Sequence, residues 1–542
     1  MSPAARRIAG AAALIAAITV LARVVGFARI VVFYGTVGEN DLGQVYHAAN
    51  TVPNIIFEIV AGGALASLVV PMLAGPLAGA DRTAVNRTVS ALLTWTLVIL
   101  VPVAALVALL AEPMMSVLSG AADPEMVALG ARMLRVFAPQ LPLYGIGIVL
   151  TGVLQAHQRF AWPAAAPLLS SVTVIGAYLA FAAVAGLGAD IGEFTLGQEL
   201  VLSAGTTLGV AVLSLCLVVP VARLGVRYRP TLAFADRAGS QVRGLALAGA
   251  VTIAAQQCAL LLVVYLTYPP APSGSLVVYT FAQTIYFLPW GVLAVPLATS
   301  AYPALAEAAV TGDETRYHRL LSGSVRGILL LGFLGAAVLV AVARPMAEVI
   351  GGVAAGSASV ASIASAIMWF APGLVGYSLF ALLTRALYAR GDTGLAARAT
   401  VGGWCAVIVA DLVLVAVLPA AYRVSALAAG NSLGMVLLGV LLLTAVRRRA
   451  GPGAVAGTLR TGGAGLLAAV LAAAAGYAVA RLFGATPHVG LAIIAGVLAA
   501  VVVLVGFAIV ALLGDRRETV RIFRQLRGRR TDARDRKGSW RE

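Results

Sequence analysis

The chain has 542 residues, of which 61% are hydrophobic and only 11% are charged. Its mean hydropathy of +0.97 is far above that of soluble proteins, in which about a quarter of the residues are charged. These values exclude a soluble globular protein and predict an all-α polytopic membrane protein.

The formal net charge of +16 comes from arginines that lie mostly in short connections between apolar segments and in the C-terminal tail. In a soluble chain such a charge would indicate nucleic-acid binding, but here we interpret it as membrane topology, with no nucleic-acid partner. Cys216, Cys258 and Cys405 all lie in apolar segments without the spacing of a metal site or a disulfide. We expect no metal site from them.

Fourteen apolar segments are long enough to cross a bilayer, for which a helix needs about 20 residues. They cover residues 8–35, 43–75, 86–111, 126–155, 162–188, 197–222, 240–266, 275–309, 320–343, 358–389, 397–418, 424–446, 458–482 and 488–513. The first segment follows Arg6 and Arg7 as a signal peptide would. Its apolar stretch is too long for one, so we predict an uncleaved first helix.

Arginines are concentrated in the connections after even-numbered segments, whereas the other connections are acidic or nearly neutral. Arg82 and Arg87 follow segment 2, and Arg223, Arg227 and Arg229 follow segment 6. The positive-inside rule then places the even-numbered connections and both termini in the cytoplasm.

A weak repeat relates residues 64–71 to residues 296–303, which lie 232 positions and six segments further on. An even number of intervening segments gives both copies the same orientation, as in parallel-repeat transporters. We therefore predict two six-helix lobes at 1–222 and 223–447, and an additional helix pair at 448–513. The remaining residues, 514–542, form a basic cytoplasmic tail that we expect to be disordered or to lie along anionic lipid.

Few ionisable residues fall within the apolar segments, namely Arg23, Arg29, Glu58 and Asp411. A charge at the centre of a spanning helix costs about 2.5–3.5 kcal/mol, so such residues usually face a cavity and mark a transport pathway. The planar guanidinium of arginine suits phosphate or carboxylate groups. Snorkelling to the membrane surface is the alternative, and it suits Arg29 better than Arg23 because Arg29 is nearer a polar loop.

No phosphate-binding glycine loop, zinc-protease motif, nucleophile elbow or histidine–cysteine cluster is present in the sequence. We therefore expect no enzymatic activity and no catalytic residues.

Several short stretches resemble the MurJ/MviN lipid II flippases of the MOP exporter superfamily. They are residues 21–29, 53–54, 63–65, 70–71, 152–167 and 387–393. The resemblance covers nearly all of the chain before the tail. It implies a bacterial cytoplasmic membrane protein with two lobes around a cationic cavity, and a groove for the lipid tail on the last two helices. By alternating access, such a protein moves a polyprenyl-pyrophosphate-linked precursor from the inner to the outer leaflet.

The cavity residues implied by the resemblance are Arg23, Arg29, Asn50, Glu58, Gln283 and Thr284, and Asp411 is a candidate cation site. The chain departs from the family pattern at several of them. Phe57 and Glu58 stand where family members usually have two basic residues on helix 2. Gln283 and Thr284 stand where family members usually have Asp and Arg on helix 8. Ile30 and Gln44 replace two acids.

The departures leave three readings of the function open. The first is a flippase for lipid II or another polyprenyl-linked sugar, with membrane lipids and cell-wall synthesis proteins as partners. The second is a small-molecule antiporter like the MATE branch of the same superfamily. The third is a membrane scaffold for cell-wall or polysaccharide assembly with weakened transport. We expect no cofactor, and coupling to Na⁺, H⁺ or the membrane potential.

Glu58 and Arg23 lie at similar depths on consecutive helices, about 5 Å apart along the membrane normal at 1.5 Å per residue. We therefore predict an ion pair between them that opens when a pyrophosphate arrives. Of the two arginines, Arg23 is predicted to be the more important for transport.

Overall fold

The computed structural model describes residues 3–60, 66–120, 123–233, 239–356, 359–484 and 488–514, and within these ranges it contains helices and no strand. The α-helices are α1 (Pro3–Thr36), α2 (Asp41–Val60), α3 (Ala66–Ala78), α4 (Arg82–Leu109), α5 (Ala111–Ser119), α6 (Pro124–Phe137), α7 (Gln140–Ala156), α8 (Ala161–Ala185), α9 (Leu196–Leu215), α10 (Val218–Ala222), α11 (Gly239–Leu266), α12 (Ser275–Pro289), α13 (Val295–Val310), α14 (Glu314–Val353), α15 (Val360–Phe370), α16 (Gly373–Ala389), α17 (Thr393–Val417), α18 (Arg423–Ala450), α19 (Thr458–Leu482) and α20 (Val489–Gly514).

The prediction of an all-helical, multi-pass membrane protein is confirmed. Within the described ranges, eleven helical stretches are long and apolar enough to cross a membrane, and the bent pair α15–α16 makes a twelfth. The other two of the fourteen predicted segments are also helical: residues 43–75 correspond to α2 and α3, and residues 240–266 to α11.

Three of the spans are interrupted, each next to a proline. Pro139 precedes α7 and separates it from α6, and α15 meets α16 at an angle of 43° just before Pro372. Pro289 ends α12, and a π-helical turn at Trp290–Ala294 follows it. Proline cannot donate the backbone hydrogen bond that would continue a regular helix.

The chain divides into two compact units. Unit 1 consists of Met1–Val278 and Val353–Ser359, and unit 2 of Tyr279–Gly352 and Val360–Glu542. The lobe boundaries predicted from the repeat, 1–222 and 223–447, stay predictions, as do those of the added helix pair and the tail.

In unit 1, α8 packs against α1 and α9, and α7 packs against α3, α4 and α9. A core of buried aliphatic residues joins the second group, with Val69, Leu92 and Val153 at most 3% exposed. In unit 2, α18 packs against α15, α16 and α17. The pair α19–α20 packs on α14 through small residues, and Gly476 lies against Ala341 and Val503.

One end of unit 1 is closed by backbone contacts around the turn between α1 and α2. The Thr36 carbonyl accepts from the Gly188 N–H at 2.8 Å, and the Tyr34 carbonyl accepts from the Ala355 N–H at 2.9 Å. The Asn40 side-chain amide donates to the Ala189 carbonyl at 3.2 Å. Three distant parts of the chain therefore meet at this turn.

Two further contacts at this end join residues that are 232 positions apart. The Ser273 hydroxyl donates to the Asp41 carboxylate at 2.6 Å, and the Leu276 N–H donates to the Gln44 side-chain oxygen at 2.7 Å. This spacing equals the predicted repeat offset. Equivalent positions of two parallel repeats can touch only near the axis that relates them, so the contacts support the predicted repeat.

Candidate functional site

Arg29 is the charged residue around which the polar interior of unit 1 is arranged. It is half-buried on α1 and lies close enough to act electrostatically on Tyr46, His47, Tyr144 and Tyr178. These four side chains come from α2, α7 and α8. A guanidinium group within electrostatic reach of hydroxyl-bearing aromatic residues is a suitable setting for an anion.

A buried hydroxyl network holds two of these tyrosines in place. The Tyr46 hydroxyl lies 2.9 Å from the Tyr178 hydroxyl and 2.9 Å from the Thr206 hydroxyl. The Thr206 hydroxyl in turn donates to the Leu202 carbonyl, one turn earlier in α9. The network therefore ties α2, α8 and α9 together, so that side chains near Arg29 are held before any ligand arrives.

Arg23, six residues earlier on α1, is exposed. The structure reverses the expected order of exposure, because Arg29 and not Arg23 is the more enclosed arginine. Within the part of the chain that the structure describes, Arg23 forms no ion pair, and the predicted pair between Arg23 and Glu58 is absent.

The other predicted unit 1 residues, Asn50 and Glu58, lie on α2. The Asn50 side-chain oxygen is buried, and no described residue donates a hydrogen bond to it. Asn54, one turn further on, accepts a hydrogen bond of 2.9 Å from the Tyr144 hydroxyl. Phe57 stacks near Tyr144 with ring centroids 4.3 Å apart, beside Glu58.

Gln283 and Thr284 lie on α12 in unit 2 and are both half-buried. The Thr284 hydroxyl donates to the Thr280 carbonyl at 2.8 Å, and the Gln283 amide lies 3.5 Å from the Tyr279 hydroxyl. Their known contacts are therefore with their own helix. Where the family pattern has a charged pair, this chain has two neutral polar side chains.

Asp411 on α17 is fully buried, with 0% exposure. Neither of its carboxylate oxygens has a hydrogen-bond partner among the described residues, and a side chain on Gly430 of α18 would collide with one of them. Asn431, next in α18, is also buried. No group of three or more His, Cys, Asp or Glu residues that could hold a metal ion occurs in the described ranges.

Outside the spans, Glu39 in the α1–α2 turn accepts a hydrogen bond from the Ser359 N–H at 3.2 Å. Burial raises the pKa of Glu39 from 4.5 to about 7, and the bond from Ser359 opposes this only in part. Glu39 also packs against Gly274, where a side chain would collide with it.

Sequence reasoning missed Tyr46, Tyr144 and Tyr178. Tyr144 and Tyr178 are lone tyrosines in largely apolar helices, whereas Tyr46 lies among several other polar residues of α2, and nothing in their spacing marks them. One signal in the sequence could have found them. A tyrosine hydroxyl buried in a membrane span needs a hydrogen-bond partner, so a tyrosine in such a segment indicates a polar contact.

A sequence model described as lipid II flippase MurJ matches residues 35–506. The chain is 25% identical over 389 residues to lipid II flippase MurJ of Burkholderia cenocepacia, covering 71% of this chain and 74% of that protein. It is 26% identical over 375 residues to a probable lipid II flippase MurJ of Thermotoga maritima, covering 68% of this chain and 72% of that protein.

Two solved structures show the same fold. A lipid II flippase MurJ in an inward closed conformation superposes with a TM-score of 0.71 at 17% identity, covering 92% of this chain and 98% of that one. An inward-facing MATE-family multidrug resistance transporter of the MOP superfamily superposes with a TM-score of 0.64 at 14% identity. The superposition covers 80% of this chain and 95% of that one. Because the family model matches most of its length, the chain belongs to the MurJ lipid II flippase family.

Proposed function

We propose that this protein moves lipid II from the inner to the outer leaflet of a bacterial cytoplasmic membrane by alternating access. The observation that carries the proposal is the family match over residues 35–506. The fold shared with MATE transporters does not separate a flippase from an antiporter, whereas the family match favours the flippase.

Arg29 supports the proposal from the structure. A lipid-linked pyrophosphate must leave water while its tail stays in lipid, so it needs a cation that replaces its hydration. The Arg29 guanidinium can donate two parallel hydrogen bonds to phosphate oxygens. The hydroxyls of Tyr46 and Tyr178 are held in place by their hydrogen bonds. A site with one cation and otherwise neutral donors binds the head group weakly enough to release it.

The pair α19–α20 is the proposed path of the polyprenyl tail. Ile493, Val497 and Leu504 on α20 are each at least 50% exposed. A polyprenyl chain has no polar group beyond its head, so an apolar helix surface open to lipid suits it.

Asp411 is the proposed coupling residue, for Na⁺ or for a proton. A buried carboxylate without a hydrogen-bond partner is costly unless a cation or a proton neutralises it. Binding and release of that cation would then bias the equilibrium between conformations, with the membrane potential as an alternative source of energy.

The proposed orientation places both termini and the arginine-rich even-numbered connections in the cytoplasm. Cell-wall synthesis proteins are the proposed partners, since they make and consume the precursor. The proposed transport involves no covalent catalysis.

The decisive experiment is complementation of a flippase-depleted cell, with lipid II on the outer leaflet as the readout. We expect both growth and outer-leaflet lipid II to be restored. Restored growth without lipid II on the outer leaflet would favour the scaffold. Failure of both at normal membrane levels, together with new resistance to organic cations, would favour the antiporter.

A further inference from the structure

Unit 1 contains a cavity of about 390 Å³ among α2, α7, α8 and α9. Most of its wall is apolar, including Pro163, Ala166 and Leu213. Among the described residues, Glu58 is the one acidic side chain in its lining, and none of them adds a basic side chain. A cavity of this size holds a small organic molecule, and its single charge is negative.

Glu58 has no counter-ion among the residues that the structure describes. Across the described ranges it forms neither an ion pair nor a hydrogen bond, although Arg23 and Arg29 are on the preceding helix. Glu199 in the same unit shows the contrasting arrangement, because its carboxylate is paired with Arg132 at 2.9 Å. Glu58 is exposed and lines the cavity, so a cation from outside the chain can reach its carboxylate.

Two aromatic rings stand beside Glu58 in the cavity wall. Phe57 and Tyr144 have ring centroids 4.3 Å apart and planes inclined by 34°. The hydrogen bond from the Tyr144 hydroxyl to Asn54 fixes the position of that ring. Aromatic faces attract organic cations, and more strongly where water is excluded.

Ser214 supplies an unused acceptor on the far side of the cavity. Its side chain is 0% exposed, and its hydroxyl has no hydrogen-bond partner among the described residues. Gly147 packs directly against this hydroxyl, because a Cβ there would lie 2.7 Å from it, so the Ser214 hydroxyl must turn towards the cavity to meet a ligand. Buried hydroxyls are normally satisfied, so a ligand with an N–H group would complete this one.

We propose that this cavity binds a monovalent alkyl- or aryl-ammonium group. Glu58 neutralises the charge, Phe57 and Tyr144 contact the apolar substituent, and Ser214 accepts an N–H. The amine is either a free organic cation or an amine on the peptide of a lipid-linked head group. The site differs in charge from the arginine site and does not depend on which lipid is carried.

The test uses the full-length protein in nanodiscs of zwitterionic lipid, with calorimetric titration of 2-phenylethylammonium and of its neutral isostere 2-phenylethanol. We expect the ammonium to bind more than about tenfold more tightly, a difference of about 1.4 kcal/mol. Glu58→Gln should abolish this preference. Glu112→Gln, which changes an exposed acid of unit 1 outside the cavity, should retain it.

A second variant tests the hydroxyl without changing any charge. Ser214→Ala should weaken binding of the primary ammonium several-fold and leave binding of the trimethylated analogue, which has no N–H, unchanged. Equal affinity for ammonium and alcohol in the wild type, or an unchanged preference in Glu58→Gln, would overturn the proposal. Equal losses for both ammonium probes in Ser214→Ala would overturn the role of the hydroxyl.

The source of the amine is separated by competition. Displacement of the probe by a lipid-linked head group with a free amine, but not by its N-acetylated form, identifies the head group as the ligand. If neither form of the head group displaces the probe, and the probe still binds through Glu58, the ligand is a free organic cation. Because the readout is binding, it stays informative if the protein fails to flip lipid II.

Discussion

Arg29 and Arg23 differ in what the protein provides around them, although they share a helix and a side-chain type. Arg29 lies within electrostatic reach of Tyr46, Tyr144 and Tyr178, whereas Arg23 is exposed. A site held rigid by its neighbours loses less entropy when a ligand binds. Arg29 is therefore the better candidate for the primary phosphate contact.

We predict that Arg29→Ala lowers lipid II transport at least about tenfold, the effect of losing one charge-assisted hydrogen bond of about 1.5–3 kcal/mol. Arg23→Ala should have the smaller effect, the reverse of the order predicted from sequence. The measurement is outer-leaflet lipid II at matched membrane levels of the variants. Arg29→Lys is the control for charge, and a larger defect in Arg23→Ala than in Arg29→Ala would contradict the assignment.

Glu39 makes the closed end of unit 1 sensitive to pH. Its pKa in the folded protein, about 7, lies above its ordinary value of 4.5. A raised carboxyl pKa means that the folded state keeps a proton that the unfolded chain has lost. The resulting stabilisation is fully present below about pH 4.5 and disappears as the pH rises through about 7.

We predict that the purified protein loses stability between about pH 5 and about pH 8, by up to about 3 kcal/mol at 1.36 kcal/mol per pKa unit. Glu39→Gln cannot ionise and should remove most of this dependence. Thermal unfolding of both proteins across this range makes the comparison. Parallel pH profiles for the two proteins would show that another group is responsible.

At the level of elements, the crossing of α16 and α18 depends on glycine. A Cβ on Gly376 would overlap the Met435 carbonyl oxygen, and Gly439 on α18 lies directly against Gly376. Small residues allow membrane helices to approach closely, and close packing is the main source of their association. The Met435 carbonyl oxygen belongs to the backbone, so it cannot move aside as the end of a flexible side chain can.

We predict that Gly376→Ala destabilises the protein by at least about 1–3 kcal/mol, the usual cost of overpacking. Gly394→Ala is the matched control, since a Cβ at that helical position has no atom within 4 Å. The measurement is the melting temperature of each variant in detergent. Equal melting temperatures for the two variants would show that the helices separate without cost.

At the level of the whole molecule, the two halves of the sequence meet through equivalent positions at the closed end of unit 1. Asp41 contacts Ser273 and Gln44 contacts Leu276, each pair separated by the repeat offset. Gln44 also donates to the Thr267 carbonyl at 3.0 Å, so one buried amide joins α2 to the end of α11 and the start of α12. Alternating access requires this end to open.

We predict that Asp41→Cys with Ser273→Cys, in a chain from which Cys216, Cys258 and Cys405 have been removed, forms a disulfide on oxidation. The Ser273 hydroxyl and an Asp41 carboxylate oxygen are 2.6 Å apart in the wild type, so these two side chains are direct neighbours. Oxidation should stop transport, and reduction should restore it. Full transport by the oxidised protein would show that this end stays closed throughout the cycle.

The sequence by itself determined the membrane class, the helical segments and the family. Apolar segments of about 20 residues leave the backbone no alternative to helix within a bilayer, so length and hydropathy suffice for these predictions. The repeat stays a prediction, and the Asp41–Ser273 contact joins residues with the same offset as residues 64–71 and 296–303. Residues 61–65, which include the start of the first copy, lie outside the described ranges.

Only the tertiary structure decided which side chains meet. Helical periodicity gives the depth of Glu58 and Arg23 but not the faces that they turn to their neighbours, and the predicted ion pair between them is absent. Tyr46, Tyr144 and Tyr178 come within electrostatic reach of Arg29 in the folded protein, where α8 packs against α1 and α7 packs against α2 and α8. Tyr144 and Tyr178 are more than 100 positions from Arg29, and their proximity depends on helix packing, which no local pattern of residues encodes.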